Sequence, residues 1–373
     1  MPPSRQLLID ARLLRAGATG VGSYTAQLLC ALDAIAPAMN VRLQALRLEG
    51  SVHWAWEQLH HTEVLTTRTD YEWHPRGDLF QQVGLPRLAH RTGADTILCP
   101  SFLAPITSRR GHASVRRVVL VHDLLMEDPA VEMPAGFRRY LRTMVRLALR
   151  RCEMIGTSSA IMRRPLAARS GVPTLFLPPA VDHAHFRPRP RVPVLPDGSP
   201  RCAPVLVYTG SFEPRKNHAL LLASVQPLAC ELVLLHSGRW SGAPLPAGVR
   251  VVAPRNAAEV AAWTSAADLA VFPSQAEGFG IPLLEAMACG TPLVASDIPA
   301  ARWLSGGGRS ALLLPPDDVA AWTHALDRLL RGEDAAVGSR VAAGLRRAAG
   351  FAWHRSARRL LQALYGAVAP LKS

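Results

Sequence analysis

DLAVFPSQAEGFGIPLLEAMACGTPLVASD, residues 268–297, is the stretch that decides the fold. Residues 269–272 are an apolar run of strand length, a loop carrying Gly278 and Gly280 follows, and Pro282 opens a helical stretch that Gly290 ends. The order is strand, loop, helix, turn, strand. In an α/β protein the loop at the carboxyl end of a parallel strand is where a ligand meets a helix N-terminus, whose free N–H groups favour an anion such as a diphosphate.

Glu277 leads this loop, and Glu285 follows eight positions later, early in the helix. A carboxylate accepts hydrogen bonds from paired hydroxyls, so a sugar or ribose is a natural partner for each. As a bare pair they carry a plainer reading, which is then the better one: Glu285 as a favourable charge near a helix N-terminus, and Glu277 as a solvated loop residue.

The whole string is more specific than the pair. PSQAEGFGIPLLEAMACGTPLVASD resembles the Glu-x7-Glu signature of retaining glycosyltransferases of family 4, in particular bacterial polysaccharide mannosyltransferases. The resemblance implies an α/β protein of GT-B architecture, two Rossmann-like doubly wound domains facing a central cleft. It also implies a nucleotide-sugar donor, with Glu285 on the nucleotide ribose and Glu277 beside the transferred sugar. Gly278, Phe279, Gly280 and Ile281 join the donor-binding residues, the first three through amides aimed at sugar hydroxyls.

Composition bounds the class. A chain of 373 residues, 49% hydrophobic, is long enough for two α/β domains with large cores. Six cysteines without a C-x-x-C pair, mostly in or beside apolar runs, read as reduced, buried thiols of a cytosolic protein. There is no amino-terminal signal pattern, and no uncharged apolar run is long enough to span a bilayer. The net charge of +14 points to an anionic partner: a membrane surface, nucleic acid or the substrate itself. No zinc finger, RNA-binding sheet motif or helix-turn-helix pattern supports nucleic acid.

Ahead of this stretch, residues 6–10 read as a first strand, and GATGVGSY leads into a helical run. By itself the glycine pair there favours a tight turn. Its likeness to the family's glycine-rich first loop implies that Gly20, Val21 and Gly22 face the donor diphosphate. Residues 42–48 and 94–99 read as strands, and the segments 51–61 and 71–86 concentrate Trp, His and Tyr without clean period. Acceptor contacts are expected somewhere in those aromatic segments. The run 117–122 is a further strand with His122 and Asp123 at its carboxyl edge. A lone histidine is more often structural than catalytic. Resemblance to the family's histidine-aspartate step makes His122 the amino-domain residue for the donor sugar, oriented by Asp123.

In the stretch 137–151, Arg138, Arg142, Arg146 and Arg150 recur every fourth residue opposite an apolar side. A core-packed helix with a solvated arginine face and a helix lying on anionic lipid explain the pattern equally. Lipid-linked acceptors in the family and the total charge tip the balance towards a peripheral contact on the inner face of the cytoplasmic membrane. Thr157, Ser158 and Ser159 read as a helix-capping cluster. The Pro179, Val181, Asp182 and Phe186 block resembles the family's close of the first domain, and residues 187–201, rich in Pro and Arg, read as a linker. The resulting domains are 1–190, a linker at 191–203, a donor domain at 204–350, and a helix at 351–373 that packs back on the first domain.

The donor domain opens with PVLVYT and then GSFEPRKN. A strand, a glycine and a basic pair ahead of a helix can form a diphosphate corner, although basic pairs are common on surfaces. The string resembles the family's Gly-x-x-Glu-Pro-Arg-Lys-Asn motif, in which Lys216, helped by Arg215, binds the diphosphate. Ser211 stands where many relatives carry arginine, and Trp303 lies at or near the place of a usual acid. No Asp-x-Asp step or His/Cys cluster calls for a metal or other cofactor. The catalytic set is then His122, Glu277 and Lys216. The reaction is retaining transfer of a hexose to a glycan or lipid-linked acceptor in cell-surface polysaccharide (lipopolysaccharide-type) synthesis, mannose from GDP-mannose first and UDP-glucose second. A related phosphorylase or epimerase, a silent nucleotide-sugar binder or a nucleic-acid-binding protein is the alternative.

Overall fold

The computed structural model describes residues 5–366 apart from 17–19, 71–74, 108–109, 112–114, 129–130, 132, 191–192 and 237–244. Residues 71–74 of the aromatic stretch, the start of the glycine loop and two linker positions therefore lie outside the described residues.

The first run of the chain alternates β1 (Gln6–Asp10), α1 (Gly20–Ile35), β2 (Arg42–Leu48), β3 (Thr62–Thr67), α2 (Pro75–Leu79), α3 (Leu85–Thr92), β4 (Thr96–Cys99) and β5 (Arg116–Leu120). It continues through α4 (Ala135–Arg151), β6 (Met154–Thr157), α5 (Arg163–Ser170) and β7 (Thr174–Phe176). The second run is β8 (Val205–Thr209), α6 (His218–Val225), β9 (Glu231–Leu235), β10 (Val249–Val252), α7 (Ala257–Ala266), β11 (Leu269–Phe272) and α8 (Ile281–Cys289). After it come β12 (Leu293–Ser296), α9 (Pro299–Leu304), β13 (Leu312–Leu314), α10 (Val319–Leu330), α11 (Val337–Ala349) and α12 (Trp353–Tyr365).

These elements form two compact units, 1–179 with 353–373, and 180–352. The first holds a sheet in the order β3-β2-β1-β4-β5-β6-β7, the second a sheet in the order β10-β9-β8-β11-β12-β13. Every strand pair within the two sheets is parallel. Parallel strands need crossovers, and the intervening helices cover both faces, so the central strands read as unbroken apolar runs. In β1, Leu7 and Ile9 pack with Leu28, Leu29 and Leu32 of α1 and with Leu360 and Leu361 of α12. Leu8, on the opposite face, joins Leu85 of α3, Val145 and Leu149 of α4 and Leu166 of α5. Strand periodicity of two thus splits the first unit's core into two layers.

The segment read as the end of the first domain and its linker packs within the second unit. Phe186 and Leu195 are buried, Val194 and Pro200 form an antiparallel bridge, and the Arg201 guanidinium donates 2.7 Å to Asp268. Ser265 donates to the Arg187 carbonyl. A Pro/Arg-rich composition hides such anchoring because each contact is made by a single side chain. Cys202 is exposed, unlike the buried Cys99, Cys152 and Cys289, and all six cysteines are free.

Candidate donor site

In the second unit the strand order reverses between β8 and β11, a topological switch point where open α/β sheets take ligands at the strands' carboxyl ends. Both motif loops leave the sheet there. The one after β8 turns through Gly210, where an added Cβ would stand 2.6 Å from the Tyr208 hydroxyl, so only glycine fits. Tyr208 in turn donates to the Ser211 carbonyl at 3.0 Å. A short 3-10 turn, Pro214–Lys216, and Asn217 in the left-handed region then deliver the basic pair.

The two loops are fastened to each other. The Gln275 amide donates to the Arg215 carbonyl at 2.8 Å. The Lys216 ammonium donates to Glu277 Oε1 at 2.6 Å, and Arg215 Nη1 donates to Glu277 Oε2 at 3.3 Å and to the Ala276 carbonyl at 3.0 Å. Ser274 Oγ donates to the same Oε1 at 2.7 Å. On the solvent side Arg215 Nε meets Glu213 at 2.8 Å, and Ser211 Oγ donates to Glu213 at 2.6 Å. Burial opposes the charge on Arg215, but Glu277 and Glu213 outweigh it and raise its pKa. Ser211 therefore fixes the counter-ion of Arg215. Ser274 was not singled out from the sequence, since a lone loop serine three residues before Glu277 has no signal of its own.

Helix α8 starts from Gly280, whose φ of 92° is left-handed and demands glycine, with Pro282 in its first turn. Phe279 is buried against Trp303 and Phe351, with centroids 5.9 and 5.8 Å away. Arg347 lies 4.8 Å over the Trp303 ring and donates to the Trp303 and Leu304 carbonyls. Trp303 thus serves as packing behind the loop. Glu285 differs from Glu277 in having no hydrogen bond or ion pair among the described residues. Burial raises its pKa from 4.5 to about 7.

The first unit holds the remaining candidates. Gly20, Val21 and Gly22 form the first turn of α1, and Tyr24 of that helix sets its ring edge-on 4.8 Å from His122. His122 is buried two residues past β5. Its Nε2 donates to the Pro100 carbonyl at 2.8 Å, and its Nδ1 accepts from Ser158 Oγ at 2.9 Å. Burial lowers its pKa despite the Pro100 bond and the Asp123 charge. Ser158 and Pro100 thus hold both ring nitrogens, while Asp123, whose charge acts on the ring, accepts from the Leu125 amide at Oδ1. The capping expected of Ser158 is likewise replaced by this bond, and the turn after Ser159 has no side-chain cap.

Arg138 also departs from expectation. Its guanidinium donates to the carbonyls of Met126, Asp128 and Val131, so it braces a loop and leaves the basic face. Arg142, Arg146 and Arg150 instead line a groove of about 490 Å³ with Arg169 and Glu127.

Residues 203–332 match the family model of glycosyl transferases group 1. The match takes in both switch-point loops. A D-inositol 3-phosphate glycosyltransferase from Frankia alni is 35% identical over 225 residues, 52% of this chain and 53% of that one. Another of that name from Nocardioides sp. is 34% identical over 213 residues, 49% and 46% of the two chains. The chain thus spans about half the length of the curated relatives it matches. Among solved structures, sucrose-phosphate synthase from Thermosynechococcus elongatus aligns over 96% of this chain and 98% of its own, with a TM-score of 0.73 at 21% identity. WaaG, a glycosyltransferase involved in lipopolysaccharide biosynthesis, aligns over 97% and 100%, with a TM-score of 0.71 at 14% identity. Anabaena HepE in complex with UDP and glucose aligns over 97% and 99%, with a TM-score of 0.69 at 16% identity. These likenesses show the fold: two parallel-sheet α/β domains of the GT-B glycosyltransferase type.

Proposed function

We propose that the protein transfers a hexose from a nucleotide-sugar to a hydroxyl of a glycan or lipid-linked acceptor, with retention of anomeric configuration. One observation carries the reading. At the second sheet's switch point a lysine-arginine pair and Glu277 converge, and a partnerless carboxylate, Glu285, stands on the helix that follows. Cations and helix amides suit a diphosphate, and a free carboxylate suits two vicinal ribose hydroxyls.

In this reading Lys216, Arg215 and the helix N-terminus that opens at Ile281 after Gly280 meet the charge that grows on the departing diphosphate, while the amides of Gly278, Phe279 and Gly280 address the sugar hydroxyls. Glu277 orients the sugar. Gly20, Val21 and Gly22 add amides, and neutral His122 offers its Nε2–H to a sugar hydroxyl in exchange for the Pro100 carbonyl. The resemblance favours GDP-mannose as donor. UDP-glucose, which the HepE complex contains, is the second donor to test, and the relatives' name adds a phosphorylated cyclitol to the acceptors worth testing.

A second reading concerns location. Arg142, Arg146 and Arg150 have no hydrogen bond or ion pair among the described residues and share one groove, which favours contact with an anionic membrane surface. Among the described residues no helix is long and apolar enough to cross a membrane.

The reaction class is tested by incubating the protein with each donor and a simple acceptor and reading the product by proton NMR. An α-linked product from an α-linked donor supports retention; an inverted product, or no donor turnover with any sugar nucleotide, refutes the reading.

A further inference from the structure

The cations of the diphosphate corner are already neutralised. Lys216 and Glu277 are the most enclosed of its ion pairs, with side chains 9% and 12% exposed, so little water stands ready to replace either partner. Oε1 of Glu277 takes both the Lys216 and the Ser274 hydrogen bonds, whereas among the described residues Oε2 has only the long one from Arg215. A diphosphate that draws on Lys216 must therefore strip a buried carboxylate of its cation.

We infer that Glu277 is a counterweight that holds down the affinity for the spent nucleoside diphosphate relative to the nucleotide-sugar. This deepens the transferase reading and rests on it. With the sugar present, its hydroxyls donate to Glu277 and make good what Lys216 withdraws. Once the sugar has left, nothing replaces those donors, and the carboxylate, left with Ser274 and the long Arg215 contact, repels the diphosphate. The same residue that orients the sugar thereby helps to expel the product. Glu213, bound to Arg215 on the exposed side, makes a smaller contribution of the same sign.

The test is calorimetric titration of UDP and GDP, and of their hexose conjugates, into wild type, Glu277→Gln and Glu213→Gln. Glutamine keeps the shape and the Ser274 contact while removing the charge. Glu277→Gln should bind its nucleoside diphosphate about tenfold tighter and the intact nucleotide-sugar no tighter than wild type. Glu213 is 51% exposed, so its replacement carries little folding risk; it should tighten the diphosphate about twofold. Unchanged or weaker diphosphate binding in both variants overturns the counterweight while leaving the transferase reading intact. A wild type that binds no nucleotide at all overturns both.

Discussion

The Lys216 ammonium lies 2.6 Å from Glu277 Oε1, joining two loops that are 61 residues apart in sequence. The register of β8 and β11, Leu206 opposite Leu269 and Val207 opposite Ala270, brings those loops together. The pair is at once a structural tie and half of the proposed diphosphate site.

Lys216→Met should therefore hurt twice, unpairing a buried carboxylate and removing a cation from the leaving group. Turnover should fall roughly a hundredfold, with weaker donor binding. Steady-state kinetics with the active donor checks this, and a loss under threefold would contradict it.

Glu285 makes a pH prediction. Its pKa of about 7 lies above the ordinary 4.5, so the folded chain binds an extra proton between those values. Its contribution to stability is present in full below pH 4.5 and is lost as pH rises through 7. Glu285→Gln should then be more stable than wild type at pH 8 by roughly 3 kcal/mol, measured by urea unfolding. Donor affinity should show the opposite trend. An ionised Glu285 accepts both ribose hydroxyls, so nucleotide-sugar affinity should rise through neutrality in wild type and stay flat in Glu285→Gln.

His122 titrates the other way. Its lowered pKa means that the first unit loses stability as pH drops below the ordinary 6.5, where the unfolded chain takes up a proton that the buried ring refuses. Ser158→Ala removes the donor to Nδ1 and should lower turnover several-fold with little change in donor affinity, and His122→Ala should lower it further. Equal kinetics for wild type and both variants would contradict the assignment.

Phe279→Ala should cost about 3 kcal/mol of stability by opening a cavity beside Trp303 and Phe351. It should also raise the donor KM, because the loop amides lose their backing.

For the basic helix, Arg142→Glu, Arg146→Glu and Arg150→Glu together should abolish co-sedimentation with vesicles rich in phosphatidylglycerol, whereas Arg138→Gln should leave it unchanged. Equal sedimentation of the triple variant and wild type would contradict membrane contact.

Much of the fold was legible because fully buried parallel strands write themselves as short apolar runs: 6–10 and 269–272 were read with the bounds they have. Strand β3, TEVLTT, escaped notice because it is an edge strand with three exposed residues and no apolar run. Helix α11, Val337–Ala349, was hidden by glycines and arginines in its sequence. The motifs named Lys216, Arg215, Glu277 and Glu285, but not their pairing, since the sequence does not state strand order. The same holds for His122 and Ser158: the β5–β6 register, Leu120 opposite Gly156, makes them neighbours across 36 residues.

The most direct measurement is calorimetric titration of GDP-mannose, UDP-glucose, UDP-GlcNAc and dTDP-rhamnose into wild type and Glu285→Ala at pH 8. The proposed site requires one donor to bind selectively and to lose at least about tenfold in affinity in the variant. Equal binding by wild type and variant, or binding of none of the four, would contradict a nucleotide-sugar site at the β8–β11 switch point.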